Sequence, residues 1–360
     1  MSGMWGNNLK VSIFGESHGN AIGITIDGLP SGVEIDLDKV NEEMARRAPG
    51  KSKLSTARNE KDAPEILSGF FEGRTTGTPL CGMIRNGDTR SKDYGKLKDL
   101  MRPGHADYTG NIRYSGFNDY RGGGHFSGRI TAPIVFAGAI CKQVLAQMGI
   151  TIGAHVKKIK NIEDDSFDFT NITKEKLEEL RTKELPLLDP SKEEKMRNTI
   201  IDAKSNCNSV GGVIECAVIG IEPGIGNPFF DSVESILSHL LFSVPAVKGV
   251  EFGLGFGITD LFGSEANDDF YYDDEKVKTR TNNNGGILGG ITNGMPIVLR
   301  VAIKPTPSIS REQDTINIKT KQDEKLVIQG RHDPCIVQRA VPVIEAVVAI
   351  GILDLLRGRN

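Results

Sequence analysis

Three stretches of this chain recur in the same order, and that repetition limits the possible folds more than any other feature. "IDGLPSG" at residues 26–32 is followed by Asp36 and a helical stretch through Met44, and "VIGIEPG" at residues 218–224 by Asp231 and a helical stretch through Leu241. "ILSGFFEG" from Ile66 pairs with "ILGGITNG" from Ile287, each followed by a proline (Pro79, Pro296) and then a strand pattern. Arg121 and Arg129 precede a long apolar helix containing Pro133, and Arg331 and Arg339, at the same spacing, precede another containing Pro342. Pairings kept in one order read as an internal duplication, with halves at about 1–150 and 206–360 of a single domain spanning 1–360. Between them, residues 157–205 are rich in Lys, Glu and Asp, with helical charge patterning around 173–184 and 190–203, which predicts a solvated helical insert. Strands and long helices do not alternate regularly. The expected class is therefore α+β or layered α/β, a sandwich of antiparallel sheets flanked by helices rather than a doubly wound parallel sheet.

"GESHG" at residues 15–19 has the G-x-S-x-G form of a serine-hydrolase nucleophile elbow. That elbow needs a strand running through a tight turn into a helix. Leu9, Val11, Ile13 and Phe14 supply the strand, but Ile22, Ile24 and Ile26 then alternate with small or polar residues, a second strand. The segment reads strand, glycine-bounded turn, strand. A hydrolase acting through Ser17 is the rival reading, and the missing helix counts against it. "APGKS" at 48–52 fails as a phosphate loop because Ala45 stands where the first glycine is required.

The net charge of −3 argues against nucleic-acid binding as the overall role but allows a local cationic pocket. The five cysteines are scattered, without a C-x-x-C, which fits reduced thiols in a cytoplasmic setting and neither a disulfide framework nor a metal site. The first ten residues lack the apolar core of a signal peptide. Lys142, Glu345 and Asp354 interrupt the apolar stretches at 130–148 and 340–356, which read as buried helices and not membrane spans.

Three further stretches gather unusual residues. "RRAPGKSKLSTAR" carries Arg46, Arg47, Lys51, Lys53 and Arg58 without an acid, a single-sign loop suited to a multiply anionic ligand. "RPGHADYTG" frames Arg102 and His105 between Pro and Gly, and histidine titrates nearest neutrality. In "YRGGGHFSGRITAP" three glycines could converge their N–H groups on an anion, with Ser127 and Arg129 adding donors and a helix capped near Thr131 following. "KPTPS" (Lys304, Pro305, Thr306, Pro307, Ser308) and "GRHDPC" (with Arg331, His332 and Asp333) repeat the theme in rigid turns. The inventory describes a pocket for a polyanion with acid catalysis, most naturally expelling phosphate.

"GESHGNAIGITIDGLPSG", "RPGHADYTGNIRY", "GHFSGRIT", "VKGVEFG", "NNGGILGG", "KPTPS" and "GRHDPC", in this order from Lys10 to about Leu356, resemble the chorismate synthase family. The resemblance implies a lyase of aromatic amino acid biosynthesis, converting 5-enolpyruvylshikimate 3-phosphate to chorismate and phosphate by 1,4-anti elimination. It implies reduced FMN as cofactor, a homotetramer, and either NADPH or an external flavin reductase as the source of reduced flavin. On matching positions, His18 would protonate the departing phosphate, and His105 would protonate or stabilise the reduced flavin. Asp333 with Ser17 would take up the proton. Arg47, Lys53, Arg102, Arg129 and Arg331 would hold carboxylates and phosphates, Arg47 and Lys53 also matching nicotinamide-nucleotide contacts. FMN would contact His125, Phe126, Ser127, Pro245, Ala246, Gly289, residues 304–308 and Arg331. Many members read Arg-Ser-Ser-Ala-Arg-Glu-Thr where this chain has "HFSGRIT", so at His125 and Phe126 the contacts would fall to the backbone. Lys53 stands where the family also has Arg, and a lysine cannot form a bidentate fork.

Overall fold

The computed structural model describes residues 3–50, 62–87, 98–328 and 332–358. The chain opens with strands β1 (Met4–Trp5), β2 (Lys10–Gly15) and β3 (Ala21–Asp27), then helix α1 (Leu37–Arg47), strand β4 (Pro64–Ser68), the hairpin β5–β6 (Phe70–Phe71, Arg74–Thr75) and strand β7 (Leu80–Arg85). The short α2 (Asp107–Arg113) and the long α3 (Thr131–Gln147) follow. Strands β8 (Thr151–Ile159) and β9 (Ile162–Glu163) lead to α4 (Lys174–Arg181) and α5 (Glu193–Ser205), then β10 (Gly212–Ile219), α6 (Val233–Ser243) and β11 (Val247–Phe252). After α7 (Gly263–Ala266) come the hairpins β12–β13 (Phe270–Asp273, Lys276–Thr279) and β14–β15 (Ile287–Leu288, Ile291–Thr292), strand β16 (Ile297–Ile303), the hairpin β17–β18 (Gln313–Asn317, Gln322–Leu326) and α8 (Val337–Arg357).

The two main sheets run β1-β2-β3-β7-β4 and β11-β16-β10-β8-β9, antiparallel throughout. Four strands of each share one order and one connectivity: β2-β3-β7-β4 in the first, β8-β10-β16-β11 in the second. In both, in chain order, a helix (α1, α6) follows the second strand, small hairpins precede the fourth (β5–β6 before β7, β12–β13 and β14–β15 before β16), and a long apolar helix (α3, α8) closes the unit. The layered antiparallel class expected from sequence is the class observed. Strand β8 enters the second sheet ahead of α4 and α5, so that sheet takes its first strand from before the charged helices.

Helices α3 and α8 pack on each other and on both sheets, and both are buried almost all round. At their crossing, a Cβ on Gly138 would lie 2.2 Å from that of Ala346, so the contact requires glycine. The stretch 128–147 is apolar and long enough to cross a membrane, but 78% of it is buried inside the protein, as a core helix would be. The charges that interrupt these helices are paired. Glu345 accepts from Arg46, from Lys142 and, at 3.1 Å, from the Ala154 amide; Glu43 binds Arg46, Lys142 and Arg181. Asp354 Oδ1 accepts the amides of Asn7, Asn8 and Leu9 at 2.7–3.0 Å, tying the last helix to the first strands. Arg46 therefore turns into this network and not into the anionic pocket expected of it, because two buried carboxylates sit on the inner side of α1.

Glu345→Ala should cost about 3–5 kcal/mol, since two buried cations lose a shared counter-charge; guanidinium unfolding measures it, and an unchanged midpoint would show that the network contributes little. Burial alone would raise the Glu43 carboxyl, but Lys142, Arg46 and Arg181 outweigh it and hold it at about 2. Burial likewise opposes, and Arg46 and Lys142 overcome, in lowering Glu345. A lowered carboxyl contributes stability above its unfolded value and loses it as the pH falls. Stability should therefore drop between about pH 4.5 and about pH 2, with a shallower fall in Glu43→Gln.

Candidate active site

Between β2 and β3 the chain turns through Ser17 and His18, both buried, with no helix following. Ser17 Oγ donates to the Arg121 carbonyl at 3.2 Å and lies 3.1 Å from His18 Nδ1. The Ser17 amide donates to the Gly124 carbonyl at 3.2 Å, and His125 Nδ1 bonds the Gly15 carbonyl at 2.9 Å. The Gly122–Gly124 run is thus wrapped round the turn that carries Ser17. All three glycines have φ between 52° and 93°, a region other residues avoid. A Cβ on Gly122 would come within 2.1 Å of the His18 ring, and one on Gly123 within 2.9 Å of the His105 ring. The absence of side chains at Gly122 and Gly123 lets two imidazoles lie against successive backbone positions, a task the sequence did not reveal beside the anion cradle expected there. A separate 3-10 turn, Gly128–Ile130, precedes α3, Ser127 caps that turn by accepting from the Arg129 amide at 3.2 Å, and Thr131 is the first helical residue, not a cap.

His105 belongs to a second cluster. Its Nδ1 lies 2.8 Å from Asp107 Oδ1, and Arg102 grips Asp107 through Nε at 2.6 Å and a terminal nitrogen at 2.7 Å. Burial works against the Asp107 charge, yet the Arg102 and His105 bonds hold its carboxyl well below the usual range. Lys304 Nζ donates to the Gly104 carbonyl, which brings the 304–308 turn of the second half onto the turn carrying His105. Burial, and then the Lys248 charge, lowers the Lys304 pKa. Behind it the Lys304 amide donates to Ala246 at 2.9 Å, and Ala246 is held at φ 77°, a strained value for a non-glycine residue.

Arg47 and Arg129 converge on Asp62, each donating to one of its oxygens, with all three side chains at most 5% exposed. Arg47 also donates to Thr131 Oγ1, and Arg129 to Asn86 Oδ1, both at 3.2 Å. Asn86 donates in turn to the carbonyls of Glu16 and Gly19 at 3.0 and 2.9 Å, linking the arginine pair to the Ser17–His18 turn. Asp333 is ion-paired with Arg339, whose Nε holds the Arg47 carbonyl at 2.9 Å.

Ser17, His18, His105, Arg102, Arg47, Arg129, Asp333 and Lys304 thus belong to one chain of contacts. Phe126 packs on α2, beside Gly110 and at 6.2 Å from the Tyr114 ring, and the His125 ring serves the Gly15 carbonyl, so both side chains have structural tasks. Gly289 sits in the β14–β15 hairpin, whose Gly290 packs on Ser232 at the start of α6. Lys51, Lys53, Arg58 and Arg331 lie outside the described residues. Sequence reasoning passed over Asp62, Asn86 and Asp107. Asp107 stood inside a stretch already singled out, two residues after its histidine, and Asp62 closes the basic loop as its nearest following acid but one.

A sequence model of the family described as chorismate synthase matches residues 9–356. The chain belongs to that family. Chorismate synthase, a carbon–oxygen lyase, is accordingly the activity its relatives share. It is 47% identical to the chorismate synthase of Methanocaldococcus jannaschii over 361 residues, covering 98% of this chain and 95% of that one. The chorismate synthase of Thermococcus kodakarensis is 46% identical over 358 residues, covering 99% and 98%. A crystal structure of a chorismate synthase superposes with a TM-score of 0.77 at 32% identity, over 98% of this chain and 92% of the other. The family match begins one residue before the stretch recognised from its motifs and ends with it.

Proposed function

We propose that this chain converts 5-enolpyruvylshikimate 3-phosphate to chorismate and phosphate with the help of reduced FMN. The observation that carries the reading is the placement of His18 and His105 against adjacent glycines of one turn, beside buried arginines. Two proton-exchanging groups so placed can serve the two ends of one substrate and its cofactor.

His18 protonates the departing phosphate. Because Ser17 gives its own proton to the Arg121 carbonyl, it accepts from His18 Nδ1, and Nε2 is the ring nitrogen that would act on the substrate. The low exposure of both residues keeps bulk water from competing. Arg102, Arg129 and Arg47 bring positive charge to the anionic substrate, with Asp62 and Asp107 holding the guanidinium planes in place. Asp333 acts as the proton acceptor with Ser17, and its bond to Arg339 orients it.

The residues fit a flavin on one further observation. Thr306 Oγ1 is buried without a hydrogen-bond partner, in the same turn as Lys304 and the buried Ser308. That turn, with Pro245, Ala246, Ser127 and the open face of Gly289, would hold FMN. A bound reduced FMN would supply transient electron donation that assists phosphate departure, with no net change in the flavin. Reduced flavin would come from an external reductase or from NADPH. We read the chain as one domain of two duplicated halves that works as a homotetramer in the cytoplasm. Phe229, Phe230, Phe256, Phe262 and Tyr272, each more than three-quarters exposed, suit burial against other copies.

The test is stoichiometry under anaerobic conditions. One chorismate and one phosphate should appear per substrate, with reduced FMN undiminished. Consumption of reduced FMN in step with product would refute the reading.

A further inference from the structure

His105 Nδ1 has two polar neighbours of opposite character: Asp107 Oδ1 at 2.8 Å and an Arg102 terminal nitrogen at 3.2 Å. Arg102 can only donate, and an ionised Asp107 can only accept. In any one protonation state of Nδ1, then, only one of the two is a hydrogen bond. Asp107 is held ionised, because the bonds from Arg102 and His105 overcome the effect of burial. The same Arg102 nitrogen already donates to Asp107 Oδ1 at 2.7 Å, and the Arg102 amide donates to Oδ2 at 3.1 Å. A bare Nδ1 would set its lone pair against a carboxylate oxygen at 2.8 Å. A protonated Nδ1 turns that contact into a charge-assisted hydrogen bond. The ring's other nitrogen then lies on the Gly123 side, where a Cβ would come within 3.0 Å of it.

We propose that Asp107 is a positioning residue that keeps a proton on His105 Nδ1, so that Nε2 is the nitrogen that exchanges a proton beside Gly123. This rests on the assignment of His105 as a proton-exchanging group made above. The arrangement resembles that of an aspartate orienting a catalytic imidazole, where exchanging the acid for its amide leaves the geometry intact but selects the wrong tautomer.

The experiment is nitrogen-15 NMR of the histidine side chains in the full chain without substrate or flavin, with His105 assigned from the signals lost in H105N. The wild type should carry a proton on His105 Nδ1, whether or not Nε2 is also protonated. In D107N the new amide can donate to Nδ1, so the neutral ring should move its proton to Nε2. With reduced FMN, kcat of D107N should fall on the order of 10²-fold while KM changes little. A bare Nδ1 in the wild type, or an unchanged tautomer in D107N, overturns the proposal. If D107N fails to fold, the wild-type tautomer decides alone. Absence of turnover in the wild type would refute the functional reading and leave the tautomer result standing.

Discussion

Gly122→Ala should abolish nearly as much activity as removing His18 itself, on the order of 10²–10⁴-fold in kcat. The backbone cost is the smaller part, since alanine tolerates the left-handed region for about 1–2 kcal/mol. The clash decides the outcome. The new methyl would stand 2.1 Å from His18 Cε1, 2.2 Å from Nδ1 and 3.0 Å from Ser17 Oγ. Backbone bonds hold both sides, through the Ser17 amide on Gly124 and the Ser17 hydroxyl on Arg121. The ring must therefore swing away and break its contact with Ser17. Gly123→Ala meets the His105 ring at 2.9 Å, a milder overlap, and should cost less. Steady-state kinetics with reduced FMN would measure both, with circular dichroism confirming the fold. Wild-type activity in Gly122→Ala would mean that His18 does not work from this position.

His18→Ala should lower kcat on the order of 10²–10⁴-fold, the usual loss of a general acid, whereas Ser17→Ala should slow turnover without abolishing it. The hydroxyl of Ser17 accepts from His18 and donates to a carbonyl, and a water can take over both bonds. An acylated nucleophile has no such substitute. Complete loss in Ser17→Ala together with a trapped acyl-serine would return the case to a hydrolase. The backbone weighs against that outcome, since Ser17 leads into β3 and not into a helix.

Much of this was legible in the sequence, and the reasons differ from residue to residue. The alternation at Ile22, Ile24 and Ile26 marked β3 because one face of that strand is buried, and all three side chains are fully covered. Helix α1 starts just after Asp36, as the repeat placed it, and the Asp36 carboxylate accepts from the Asp38 and Lys39 amides; α6 follows Asp231 by one residue more, with Ser232 as its cap. The triglycine was conspicuous, but its purpose was not. Sequence shows that side chains are absent there, not which rings fill the space. Arg46 and Arg47 are neighbours in the chain, yet α1 sends one into the helix network and the other to Asp62. Asp62 and Arg129 are 67 residues apart, and only the closing of β4 on β7 brings that region together. No local pattern encodes such a pair. His105 and Asp107, by contrast, are two residues apart, and that acid was readable as a partner of the histidine beside it.

The most direct test of the proposed reaction is anaerobic phosphate release from 5-enolpyruvylshikimate 3-phosphate, followed with dithionite-reduced and with oxidised FMN on the same protein. Turnover is expected with reduced flavin and none with oxidised flavin. Equal rates in the two conditions would contradict it.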